Sequence, residues 1–67
     1  QIDFTEKELF FIRQFQNGGR HTLHHLTKLT HLHKNVIEEL LVKFILFDLL
    51  EMTFEKTGIF YHEKSET

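Results

Sequence analysis

The chain has no cysteine, no proline, no tryptophan and no alanine, and only three of its 67 residues are glycine. Without cysteine, neither a disulfide nor a thiolate metal site can brace the fold. A domain this short buries only ~60% of the surface its unfolded chain exposes, so dense packing or self-association must supply the stability. No apolar run approaches the ~20 residues of a membrane span, and no basic segment with a cleavage site opens the chain. A basic excess is also lacking. The formal charge is −2 with the six His neutral and reaches +4 only when all six are protonated. A dedicated nucleic-acid binder usually carries a clear basic excess, so any DNA contact must come from a local patch or from two patches joined by an oligomer. The lone serine is Ser65, and there is no Gly-rich phosphate loop and no nucleophile motif, so no enzyme activity and no cofactor are expected. The start at Gln1 rather than Met and the polar end Ser65-Glu66-Thr67 read as an excised domain or a processed product.

What is present is a set of apolar spacings. Thr5-Glu6-Lys7-Glu8 is a capping box, with Phe4 before it and Leu9 after it placed to close a hydrophobic staple. The first helix then reads Leu9, Phe10, Phe11, Ile12 and Phe15, and Asn17-Gly18-Gly19 is expected to end it. A second helix begins at Thr22 and sets Leu23, Leu26, Thr27 and Thr30 on one side, with His24, Lys28 and His31 opposite. A third, from about Lys34 to Phe47, turns Ile37, Leu40, Leu41 and Phe44 inward. Its second half is apolar nearly all round through Val42, Ile45, Leu46 and Phe47, and such a helix is buried in something. After Asp48 the period changes to two. Leu50, Met52 and Phe54 alternate with Glu51 and Thr53, Glu55-Lys56-Thr57-Gly58 supplies a turn, and Ile59-Phe60-Tyr61 follows, which reads as a β-hairpin. The tail from His62 is expected to fray.

These residues resemble the winged helix-turn-helix family of DNA-binding domains. Leu26-Thr27-Lys28-Leu29-Thr30-His31-Leu32 is similar to the family's second helix and turn, and Lys34-Asn35-Val36-Ile37-Glu38-Glu39-Leu40-Leu41 to the start of its recognition helix. Leu41-x-x-Phe44-x-x-x-Asp48-Leu49-Leu50 resembles the exit into the wing. His31 and Asp48 stand where the family often has Gly, and both residue types tolerate positive φ better than most. Glu38 and Glu39 stand where the family often places groups facing DNA, although Glu can accept from cytosine N4. The resemblance implies an α+β, mainly helical fold: a three-helix winged helix-turn-helix with a C-terminal two-stranded β-hairpin wing, over residues 1–64, with 65–67 a polar tail.

The resemblance also implies double-stranded DNA as partner and transcription regulation as role, with the protein in the cytoplasm or nucleus. Lys34, Asn35, His33 and Glu38 would then meet the major groove, and Arg20, Thr22, His24, His25, Lys28 and Lys56 the phosphates. A homodimer would join two half-sites. The histidines offer a different possibility, since His21 and His25 are four apart and His31 and His33 flank the turn. Zinc needs four ligands, however, and no Cys completes a set, so no metal is assigned. A protein-interaction module is the alternative function. In that reading Phe10, Val42, Ile45, Leu46 and Phe47 form an interface with a protein partner or a second copy, against their simpler reading as ordinary core.

Overall fold

The computed structural model describes residues 3–65. Three helices, α1 (Glu6–Arg13), α2 (Leu23–Thr30) and α3 (Lys34–Leu46), precede two strands, β1 (Leu50–Glu55) and β2 (Gly58–Glu63). The strands pair antiparallel from Leu50↔Glu63 to Glu55↔Gly58. The fold is α+β and mainly helical, in a layout compatible with a winged helix. Among the described residues no helix is long and apolar enough to cross a membrane.

Each helix start is fixed locally. Thr5 and Glu8 form the capping box in both directions, Glu8 N donating to Thr5 Oγ1 at 3.2 Å and Thr5 N to Glu8 Oε1 at 2.9 Å. The Thr22 hydroxyl accepts from His25 N at 3.1 Å and starts α2. His33 starts α3 with its ring, Nδ1 accepting from Asn35 N at 3.1 Å. The helix ends use positive φ: His31 (60°) closes α2 and Asp48 (67°) follows α3, as their places in the family pattern imply.

Three expectations about boundaries are corrected. The first helix stops at Arg13 rather than at Asn17, and a 3₁₀ turn, Gln16–Gly18, follows it with Asn17 at φ 63°. The Gln14 carbonyl, which a continuing helix would bond to Gly18 N, is taken instead by His21 Nε2 at 2.6 Å. The hairpin connection is two residues, Lys56-Thr57, because Glu55 and Gly58 already pair. Neither loop residue has positive φ, and Gly58 (145°) absorbs the bend that a Cβ would strain. The chain does not fray after His62: β2 continues to Glu63, Lys64 N donates to Leu49 O at 3.0 Å, Lys64 pairs with Asp48, and Ser65 Oγ reaches Glu51 Oε1 at 3.4 Å. Of the expected polar tail, Glu66 and Thr67 lie outside the described residues. A further strand contact has no signal in the residue spacing. His21 and Tyr61 exchange backbone hydrogen bonds of 3.0 and 2.8 Å, which extends the sheet beyond β2.

The core consists of Phe11, Phe15, Leu26, Ile37, Leu40, Leu41, Phe44 and Leu50. Phe11 stacks on Phe44 with centroids 6.1 Å apart and meets Phe15 edge-on at 5.6 Å, so α1 is joined to α3 through aromatic rings. The Phe4 ring lies 5.4 Å from that of Phe44 and 6.1 Å from that of Phe47, while Leu9, its expected staple partner, is 37% exposed.

Candidate functional site

The outward face of α3 decides what this surface can do. Ile37, Leu40, Leu41 and Phe44 turn into the core, which leaves Lys34, Asn35, Glu38, Glu39, Val42 and Leu46 on the solvent side. Only the first turn therefore carries a cation or an amide. The middle is acidic, and the last two turns expose Val42 at 56% and Leu46 at 77%. No ion pair within 4.0 Å engages Glu38 or Glu39 among the described residues. Of the two cations of this helix, Lys43 is committed to Glu8 on α1, and Lys34, one turn before Glu38, forms no ion pair within 4.0 Å among the described residues.

The hairpin continues that apolar face. Alternation along the strands puts Leu50, Met52 and Phe54 on one side, opposite Glu63, Tyr61 and Ile59. Leu50 enters the core at 2% exposure, but Met52, Phe54 and Ile59 remain open, Phe54 at 72%. Between helix and hairpin lies a groove of about 390 Å³ lined by Glu38, Leu41, Val42, Ile45, Leu46, Met52 and Tyr61. Three of the five expected interface residues (Val42, Ile45 and Leu46) thus meet at one place. Phe10 and Phe47 are exposed outside the groove, Phe10 on α1 and Phe47 beside the Phe4 ring. Met52 and Tyr61 line the same groove and Phe54 and Ile59 lie exposed beyond it, none of them expected on this surface. The signal was present, because the apolar alternation of β1 runs two residues beyond the one the core uses.

The opposite hairpin face is polar and internally satisfied. His62 Nε2 meets Thr53 Oγ1 at 2.7 Å, and its Nδ1 donates to Glu63 O at 3.0 Å. Arg20, expected to meet phosphate, lies over the Phe60 ring at 4.8 Å and pairs with Glu55, so its charge is already matched.

The other expected DNA-facing residues divide into two groups. Thr22 and His33 serve as helix caps. Because His33 Nδ1 accepts a hydrogen bond, the neutral ring carries its proton on Nε2, which faces outward as a donor. Lys28, Lys34 and Lys56 are exposed and in no ion pair among the described residues, and Asn35 and His24 are exposed as well. His25 is exposed and bound to His21, with Nδ1 atoms 3.0 Å apart and rings 4.8 Å apart. The Gln14 carbonyl can only accept, so a neutral His21 donates from Nε2–H and its Nδ1 accepts from His25 Nδ1–H. Among the described residues no three His, Asp or Glu side chains converge to hold a metal ion.

No family model, curated protein or solved structure matches the chain.

Proposed function

We propose that this domain is a protein-interaction module that uses a winged-helix layout for docking. One observation carries the reading: the helix that would read DNA presents Glu38, Glu39, Val42 and Leu46 outward and joins Met52 and Tyr61 in an apolar groove. Carboxylates facing phosphates are repelled, and aliphatic side chains at the middle of a major-groove helix gain only contacts with thymine methyls. The same residues suit a protein partner, since contiguous exposed apolar surface rimmed by charge marks association sites.

A second reading, DNA binding, is favoured by a different observation. Lys28, Lys34 and Lys56 are exposed and unpaired among the described residues, and His33 Nε2 adds an outward donor. Titration of duplex DNA across a salt series separates the two. A docking module shows no duplex binding at 50 mM salt. A DNA reader binds with log K falling against log salt at a slope of about −3 for three released counterions, and Lys34→Ala makes that slope shallower by about 1.

A further inference from the structure

We propose that the groove between α3 and the hairpin receives an amphipathic helix bearing basic residues at the end that meets Glu38 and Glu39. The inference rests on the docking reading above and names the occupant. Its first support is shape. From Glu38 to Leu46 the groove wall runs eight residues along α3, about 12 Å at 1.5 Å per residue. That is the length over which a docked helix presents apolar anchors at i, i+3 or i+4, and i+7. Met52 and Tyr61, paired across the hairpin, form the facing wall.

Charge is the second support. Glu38 lines the groove and Glu39 stands beside it, both exposed. Lys43 is held by Glu8, and Lys34, one turn before Glu38, forms no ion pair with either carboxylate within 4.0 Å. The carboxylates therefore offer two unmatched negative charges at one end of an apolar slot, and Lys or Arg is the complement.

Charge, rather than area, separates this occupant from a second copy of the chain. The exposed fractions of Val42, Leu46, Met52, Phe54 and Ile59 amount to about three whole side chains. At ~150–250 Å² for a large ring and somewhat less for an aliphatic chain, that is on the order of 500 Å². Two copies face to face would bury on the order of 1,000 Å² of apolar surface, which with the usual polar rim reaches the ~1,200–2,000 Å² total of a stable interface, so area favours neither occupant. Two copies would, however, place four unmatched carboxylates in one contact. A single basic helix avoids that repulsion.

The test uses two fluorescein-labelled synthetic helices with the same Leu seam at i, i+4 and i+7. One carries two Arg a turn beyond the seam and the other two Glu. Anisotropy at 50 mM salt is expected to show the Arg peptide binding at least about 10-fold tighter, a difference of ~1.4 kcal/mol. Glu38→Lys with Glu39→Lys reverses the preference, and Leu46→Glu weakens the Arg peptide at least about 10-fold. All three positions are exposed, so circular dichroism of the variants should match the parent. Equal binding of both peptides, lost in Leu46→Glu, leaves the docking reading standing and overturns the basic helix. Binding by neither peptide, or binding indifferent to Leu46→Glu, overturns the docking reading with it. A sedimentation mass that doubles with concentration and reverts in Leu46→Glu assigns the groove to a second copy and overturns the proposal.

Discussion

His31 and Asp48 hold backbone conformations that cost an L-residue about 1–2 kcal/mol. Both sit at helix ends where the chain must reverse, and glycine would adopt the same φ without a Cβ clash. Part of that gain is cancelled because Gly has more freedom to lose on folding. His31→Gly is therefore expected to stabilise the domain by ~0.5–1 kcal/mol, read as a rise of several degrees in Tm. Asp48→Gly should gain less, because it also removes the pairing with Lys64. That pair is open to solvent and worth at most about 1 kcal/mol. Both positions are legible in the sequence, since a residue type tolerant of positive φ stands where the winged-helix pattern it resembles has Gly. The role of His33 was not. A ring nitrogen can cap a helix as a hydroxyl does, but nothing in the spacing distinguishes a capping histidine from one that faces a ligand.

At the scale of elements, α1 is tied to α3 by one acidic side chain. Glu8 completes its own helix cap and also pairs with Lys43. The Lys43 hydrogen bond, with help from the Thr5 N–H, holds the Glu8 carboxyl below the usual carboxylate range against the opposing effect of burial. A lowered folded value means that the stabilisation is complete above the unfolded value of ~4.3 and is lost as pH falls through the folded one. Thermal melts below about pH 4.5 should therefore decline more steeply for the parent than for Glu8→Gln. The variant should start lower at pH 7 and converge with the parent in acid. The capping box was readable from Thr5-x-x-Glu8 alone because it is a local motif. The Lys43 partner is 35 residues away and belongs to no local pattern. The end of α1 was misplaced because Asn17-Gly18-Gly19 is a sound stop signal, but the chain already tightens to i→i−3 bonding at Gln14 and Phe15, whose amides bond the Phe11 and Ile12 carbonyls.

Across the whole molecule, apolar side chains serve two purposes that composition cannot separate. Phe44 is fully buried and touches the rings of Phe4 and Phe11, whereas Leu46, two residues on, is 77% exposed. Phe44→Ala is expected to cost ~3–5 kcal/mol in denaturant melts, and Leu46→Lys to fall within ~0.5 kcal/mol of the parent. A large loss in Leu46→Lys would mean that the side chain packs in the folded domain and that the groove is filled from within.

The order of helices and hairpin, the Thr5–Glu8 capping box, the positive-φ positions His31 and Asp48 and the inward set on α3 were determined by the sequence itself. Each rests on contacts a few residues apart, where spacing dictates geometry. The tertiary structure alone decided which apolar residues are surplus. A helix apolar nearly all round can be buried on every side or left with one face open, and the outcome depends on how much neighbouring chain remains to cover it. Here α1, α2 and one end of the hairpin cover the inner face of α3. The remaining hairpin residues extend beside Val42 and Leu46 without closing over them, so a surface that resembles a DNA-reading helix in its spacing is an open apolar groove with an acidic end.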